Sequence, residues 1–303
     1  MLNKIIANAL PYMPQKLIWI FSKRYIAGQT IEDGLKVCRE LNAQGIEVTV
    51  DLLGEFISTI EQAEENKKKY IDIIERFTSE GIVGNFSLKP TMFGLLIDKA
   101  VCFANVEAVV KKAAEKKSFI RIDMEDSQCV DNELEMYRKL QQRYPAIVGL
   151  VVQAYLRRTK NDLSNMSDIH VNGSPLNFRL CKGIYVEPKH VAYKEPEEIR
   201  EHYLDDLKFM FEHKMYVGIA THDKYLVDQA IKLIKEQKVE SSKYEFQMLY
   251  GVTPELRSSI VNQGYKMRVY VPFGKDWFGY STRRLKENPK MASLIIKALF
   301  YRG

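Results

Sequence analysis

From residue 46 to residue 273 the chain repeats one pattern eight times: a short run of branched and aromatic residues, then a polar segment of helix length. The runs are IEVTVDLL (46–53), GNFSLKP (84–90), FIRIDME (119–125), IVGLVVQAY (147–155), FRLCKGIY (178–185), MYVGIATH (215–222), YEFQMLY (244–250) and KMRVYVPF (266–273). Such alternation is the pattern of parallel strands joined by crossover helices. Eight units suffice to close a (β/α)8 barrel, whereas an open doubly wound sheet usually stops at about five or six strands. Two connecting segments show how the helices read. Residues 61–80 place Ile71, Ile74 and Phe77 at helical spacing beneath a charged face, and residues 253–264 open with Thr253 as a cap and Pro254 at the first helical position. No linker or repeat divides the chain after residue 46. The expectation is an α/β protein: a (β/α)8 TIM barrel over 46–303, with 1–45 as an N-terminal helical extension packed on it.

Composition permits this and removes several function classes. A chain of 303 residues that is 46% hydrophobic can bury a large core. The net charge of +6 arises from 45 basic and 39 acidic residues spread along the chain, with no basic tail, so nucleic acid is not an indicated partner. Cys38, Cys102, Cys129 and Cys181 lie far apart without a C-x-x-C pair, so no metal site and no disulfide framework is expected, and a reducing, cytoplasmic setting fits. Asn8, Pro11, Pro14 and Lys16 interrupt the apolar N-terminus well short of a secretory or membrane-spanning run. There is no G-x-G-x-x-G after a strand, no P-loop, no H-E-x-x-H and no G-x-S-x-G, which argues against a Rossmann nucleotide site, P-loop chemistry, zincin chemistry and a hydrolase elbow.

In a barrel of this kind, catalytic groups stand at the C-terminal ends of the strands. Polar residues occur there on nearly every run: Asp51 and Glu55, Lys89, Asp123 and Glu125, Gln153 and Tyr155, Arg179, Lys182 and Tyr185, Thr221 and His222, Gln247 and Tyr250, and Tyr270. Any one of them alone reads as a turn or solvent residue. Together, at one end of otherwise apolar strands, they would converge on a pocket, where burial is costly unless something is bound. Beyond the last run, Arg283 and Arg284 precede Glu287 at helical spacing, which suits a surface ion pair. The preceding VPFGKDWFGYST suits instead a tight turn that brings both guanidinium groups to the barrel mouth to hold a carboxylate.

Several of these segments, in this order, closely resemble the successive motifs of the proline dehydrogenases. They are RLCKGIY (179–185), ATH (220–222), FQMLYG (246–251), RVYVPFG (268–274) and YSTRRLKEN (280–288), with DLLGE (51–55), SLKP (87–90) and IDME (122–125) extending the match across about residues 25–290. The resemblance implies a distorted (β/α)8 barrel that holds FAD without a Rossmann motif. It implies oxidation of L-proline to 1-pyrroline-5-carboxylate by hydride transfer to the flavin N5, reoxidation by a membrane quinone, and a pyrroline-5-carboxylate dehydrogenase downstream. By motif, Lys89, Arg283 and Arg284 would grip the proline carboxylate, and Asp123, Tyr185, Tyr270 and Tyr280 would line the ring pocket, Asp123 and Tyr185 as catalytic groups. Met124, Gln153, Arg179, Lys182, Gly183, Ile184, Thr221 and His222 would hold the flavin. Glu55 resembles the gate residue that pairs with Arg283, and Glu287 orients one arginine. The sequence departs from the commonest pattern at Cys181, where valine is usual, at Tyr250, where the family varies, and at Val186, where some members place an aromatic against the flavin.

Three cations around one carboxylate would also favour the neutral amine of the substrate over the ammonium. Two other readings stand beside this one. A cofactor-free barrel lyase would use Lys89 or Lys182 as a Schiff-base amine. A peripheral membrane protein would lay Leu2, Ile5, Ile6, Leu10, Leu17, Ile18 and Ile20 on an anionic surface at the inner face of the cell membrane, the alternative being a helix that caps the barrel bottom.

Overall fold

The structure, a computed structural model, describes residues 15–54, 57–167, 169 and 174–287. Eight parallel strands close into a barrel, each pairing with the next and the last with the first. They are β1 (Glu47–Leu52), β2 (Gly84–Leu88), β3 (Ile120–Ile122), β4 (Val148–Gln153), β5 (Asn177–Cys181), β6 (Tyr216–Ala220), β7 (Tyr244–Leu249) and β8 (Met267–Phe273). The connecting helices are α3 (Ile60–Ser79), α4 (Lys99–Glu115), α5 (Val130–Arg143), α6 (Thr159–Met166), α7 (Pro196–Glu212), α8 (Lys224–Glu236) and α9 (Pro254–Asn262). Among the described residues, α1 (Gln15–Ser22) and α2 (Ile31–Asn42) precede β1, and α10 (Trp277–Glu287) follows β8.

Each of the eight runs read from sequence forms a strand. Successive strand residues face opposite sides of the wall. Val48 and Val50, Phe86 and Leu88, Ile120 and Ile122, Phe178 and Leu180 and their counterparts are buried in the apolar layer shared with the helices. The alternate residues, Thr49, Asp51, Asn85, Ser87, Arg121, Arg179, Glu245, Gln247 and Arg268, fill the interior. A bond from the Arg179 guanidinium on β5 to Thr49 Oγ1 on β1, at 3.5 Å, crosses that interior. The runs overshoot the ladders at their C-terminal ends, where the strands part to form the mouth. Backbone bonds such as Asp123 N to Leu88 O and Tyr155 N to Lys182 O, both 2.8 Å, finish the layer there.

The barrel departs from eightfold regularity after β8. Helix α2, from the N-terminal region, packs on β8 and β1 and contributes Leu35, Val37, Cys38 and Leu41 to the main core. Its start is fixed by a capping box in which Thr30 and Asp33 satisfy each other's backbone N–H. At Gly34 a Cβ would lie 3.1 Å from the Phe273 ring, so a glycine there lets the helix close on the strand. Helix α10 packs against α1 instead, with Ile18, Trp277, Tyr280, Tyr25, Ile26 and Leu53 forming a second apolar cluster. Leu53 follows the end of β1 and Trp277 the end of β8, so α1 sits at the C-terminal end of the barrel. The expectation of a helix capping the bottom is corrected for these residues, because the apolar face of α1 finds its partner in α10. Residues 1–14 lie outside the description.

The cap expected at Thr253 is also corrected. Thr253 takes a left-handed conformation (φ 42°) with no side-chain cap bond, and its hydroxyl lies 3.8 Å from Met248 Sδ. Pro254 alone marks the start of α9.

Asp206 on α7 is buried, and burial lifts its carboxyl to about 7 against the smaller opposing effect of Lys160. A folded-state value above the unfolded one means that the folded chain binds the extra proton, so stability falls as pH rises from about 3.8 to about 7. Asp206→Asn is expected to raise unfolding stability at pH 8 by about 2 kcal/mol and to change little at pH 4, as read by urea denaturation.

Candidate active site

At the mouth, β1, β2, β3, β5, β7 and β8 bring seven polar side chains onto one another: Asp51, Ser87, Lys89, Asp123, Arg179, Gln247 and Tyr270. Lys89 Nζ lies 3.0 Å from Asp51 Oδ1, 3.4 Å from Asp123 Oδ2 and 3.3 Å from the Tyr270 hydroxyl. Tyr270 donates to Asp123 Oδ2 at 2.9 Å. The other Asp123 oxygen accepts from Ser87 Oγ at 2.5 Å and from the Arg179 guanidinium at 3.0 Å. Arg179 stacks over the Tyr270 ring, 5.2 Å from its centroid, and its Nε donates to Gln247 Oε1 at 2.6 Å.

The charges in this network are unequal. Burial works against the Asp123 carboxylate, but Lys89 and Arg179, with bonds from Ser87 and Tyr270, hold its pKa below the ordinary value. Asp51 is fully buried with Oδ2 unbonded, and burial and the nearby Asp123 raise its carboxyl despite Lys89. Burial acts to lower the Lys89 ammonium, and Asp51, Tyr270 and Asp123 outweigh it, so Lys89 stays protonated well past neutrality. Lys89 therefore already faces two carboxyl groups. Contrary to expectation, three uncompensated cations do not await a substrate amine here, because the charge of Lys89 is offset before any substrate arrives.

Beside this network, β4 to β6 form a rim. Gln153 is buried, its Nε2 donating to Glu125 O at 2.9 Å, and Met124 is buried next to it. Gly183 has φ 109°, and a Cβ there would meet the Tyr155 ring at 2.1 Å, so both backbone and space require glycine. Lys182 Nζ and Arg200 Nε converge on Asp223 Oδ2 at 2.6 and 2.8 Å. Burial opposes the Asp223 charge, but Arg200 and Lys182 bring its pKa down to about 2. Thr221 Oγ1 accepts from Asp223 N, and His222 Nε2 accepts from Leu249 N at 2.9 Å, leaving Nδ1 as the protonated nitrogen of a neutral ring. Ile184 is 44% exposed and Val186 99% exposed, apolar surface standing beside paired cations at the mouth. These residues fit a flat, anionic cofactor such as a flavin dinucleotide: apolar groups for a ring face, cations for phosphate, and Gln153 and Arg179 for ring heteroatoms.

The family called proline dehydrogenase matches residues 34–296. The chain is 35% identical over 276 residues to "Proline dehydrogenase 2" of Bacillus subtilis strain 168, a match covering 91% of this chain and 89% of that protein. This chain belongs to the proline dehydrogenase family. It is thereby an oxidoreductase. The "Proline dehydrogenase" of Deinococcus radiodurans is 32% identical over 294 residues, covering 95% of this chain and 92% of that protein. Among solved structures, proline utilization A from Bdellovibrio bacteriovorus superimposes with a TM-score of 0.83 at 24% identity, covering 88% of this chain and 32% of that longer one. That likeness carries the (β/α)8 barrel fold.

Of the residues picked out by the proline dehydrogenase motifs, Lys89, Asp123, Arg179 and Tyr270 meet in one network. Tyr185 stands within electrostatic reach of it: burial raises its hydroxyl, Glu125 adds to this, and Lys89 opposes it. Tyr280 is buried in the α1–α10 cluster. Glu55 and the side chains of Arg283, Arg284 and Glu287 lie outside the described residues. Glu125 does not join the mouth network. Its carboxylate accepts from Thr91 N and Oγ1 at 2.9 and 2.7 Å, and its own N–H donates to Glu133. Ser87, Asp223 and Arg200 were not singled out. The alternation Asn85, Ser87 along β2 pointed to the first, but nothing in the spacing foretold that Arg200 on α7 reaches Asp223.

Proposed function

We propose that this member of the proline dehydrogenase family oxidises L-proline to 1-pyrroline-5-carboxylate with bound FAD. The observation that carries the reading is a lysine, Lys89, held at the barrel mouth by Asp51, Asp123 and Tyr270. The names of the relatives support proline as the substrate. Lys89, with Arg283 and Arg284 from α10, binds the carboxylate, and bidentate guanidinium contacts fix its plane. Tyr185, Tyr270 and Tyr280 enclose the ring and exclude water, with Asp123 holding the Tyr270 hydroxyl in place. Glu55 pairs with Arg283 as a gate, and Glu287 orients one arginine.

Met124, Gln153, Arg179, Lys182, Gly183, Ile184, Thr221 and His222 hold the FAD. When bound, the flavin supplies a two-electron acceptor for a hydride from the carbon beside nitrogen. Arg179 and Gln153 place a charge and a hydrogen-bond donor where a reduced ring gains electron density. Because Lys89 is already offset, Arg283 and Arg284 are the cations that disfavour the substrate ammonium.

The electrons pass to a membrane quinone, and the product passes to a pyrroline-5-carboxylate dehydrogenase. Relatives named "Bifunctional protein PutA", of which the chain matches 24%, support such a coupling. The protein works in the cytoplasm with peripheral contact at the inner face of the membrane. Among the described residues no helix is long and apolar enough to cross a membrane.

Arg284→Met is expected to raise KM for proline by about 10²-fold, the loss of one charge-assisted carboxylate contact, while the bound flavin absorbance is unchanged. Unaltered proline turnover would remove Arg284 from the clamp. The lyase alternative, with Lys89 or Lys182 as the Schiff-base amine, requires an unprotonated lysine; the raised pKa of Lys89 disfavours the first, and the 2.6 Å ion pair with Asp223 ties up the second.

A further inference from the structure

At the opposite end of the barrel, the N-terminal ends of the strands surround a cavity of about 420 Å³. That is within the size range of small-molecule sites. Its lining includes the apolar Phe119 and Ile147 and the charged Glu47, Glu245, Arg268 and Arg121, with Arg121 lying over the Phe119 ring. The two glutamates are accounted for. Arg268 grips Glu245 through Nε–Oε1 at 2.6 Å and NH2–Oε2 at 3.0 Å and also pairs with Glu47, while Lys266 reaches Glu47 at 2.8 Å and Glu245 at 3.6 Å.

Arg121 is different. It is 1% exposed, yet among the described residues it has no carboxylate partner. Its three bonds go to neutral oxygens, Leu150 O at 3.2 Å, Asn177 O at 3.0 Å and Asn177 Oδ1 at 2.5 Å, and its buried Nε has no acceptor. Burial and the charge of Arg179 lower its pKa to about 9, which still leaves it charged at neutral pH. The fold makes room for this cation: at Gly149 a Cβ would stand 2.4 Å from the guanidinium. The guanidinium lies over the Phe119 ring, 5.0 Å from its centroid, and Glu245 favours its charge from beyond ion-pair distance. A buried cation that has a ring face and neutral oxygens but no carboxylate in contact still leaves room for an anion to stabilise it.

The geometry points to a binding site for a small organic monocarboxylate at the barrel bottom, its carboxylate on Arg121 and its apolar body against Phe119 and Ile147. Two paired cations and two glutamates cancel, so Arg121 leaves the wall positive, and Lys117 at the rim adds to this. A dianion such as phosphate would press against Glu47 and Glu245, and a hydrated inorganic anion would gain nothing from the apolar wall. The site is at the far end from Lys89 and does not rest on the reading of the mouth.

The test uses the flavin-loaded protein and 2-methylpropanoate, with chloride and phosphate at matched ionic strength, reading the melting temperature. A saturable rise is expected in the wild type and in Arg284→Met, which removes the mouth clamp as its source. The rise should disappear in Arg121→Met and in Ala114→Trp, the latter filling the cavity from the last turn of α4 while KM for proline stays at the wild-type value. Should Arg121→Met not fold, Ala114→Trp decides alone. A rise that survives in Ala114→Trp, or that phosphate or chloride reproduces, or no saturable rise at all, would overturn the site.

Discussion

Lys89→Met is expected to lower kcat/KM for proline by about 10²–10³-fold, with the flavin still bound, as measured by steady-state kinetics and absorbance. Losing one partner of a buried charged contact costs about 2–5 kcal/mol, and that fold-change, about 2.7–4.1 kcal/mol, falls inside this range. Two effects act together. The substrate carboxylate loses a cation, and Asp51, fully buried and ion-paired among the described residues with Lys89 alone, must take up a proton or repel Asp123. The rim residues Lys182, Gly183 and Thr221 do not touch Lys89, which is why cofactor retention should survive. A loss of less than tenfold would show that Lys89 is not the carboxylate anchor.

The second large effect concerns stability. Glu245→Ala is expected to destabilise the fold by about 3 kcal/mol in urea denaturation at pH 7, since it strips the buried Arg268 of the carboxylate that holds it through two bonds and leaves it the more exposed Glu47. Glu245 is 1% exposed and Arg268 7% exposed, and the guanidinium holds both Glu245 oxygens. Burial works to raise the Glu245 carboxyl, but Arg268, Lys266 and Gln247 outweigh it and bring the pKa to about 2. A depressed acid contributes stability above its unfolded value, near 4.5, and loses it as pH falls towards 2. The deficit of the variant should therefore be full at pH 7 and shrink across that acid window. A deficit independent of pH would mean that the glutamate acts through packing and not through charge.

Much of the barrel was legible because eight strands buried between helices leave eight apolar runs, and closure follows from their number. Lys89, Asp123, Arg179 and Tyr270 could be found because strand ends in a barrel converge. What stayed hidden depends on packing between elements. The apolar face of α1 is plain in sequence, but nothing in it says that the partner is α10 at the mouth. The Thr253 hydroxyl looks like a cap, yet a left-handed backbone turns it to Met248. Glu125 shares a strand end with Asp123 but lies two residues further on, past the end of β3, where the chain carries it to Thr91. The Arg268–Glu245 pair belongs to the N-terminal end of the interior, away from the strand ends where barrel chemistry stands. There, period-two alternation along β7 and β8 could have revealed it.

The central claim is that the mouth network and the rim serve a flavin-dependent oxidation of proline, and the visible absorption spectrum of the purified protein tests it most directly. The account predicts a yellow protein whose flavin band is bleached on anaerobic addition of L-proline, and bleached far less in Lys89→Met at the same proline concentration. A colourless protein that FAD does not turn yellow, or a flavin band that proline leaves unchanged, would contradict it.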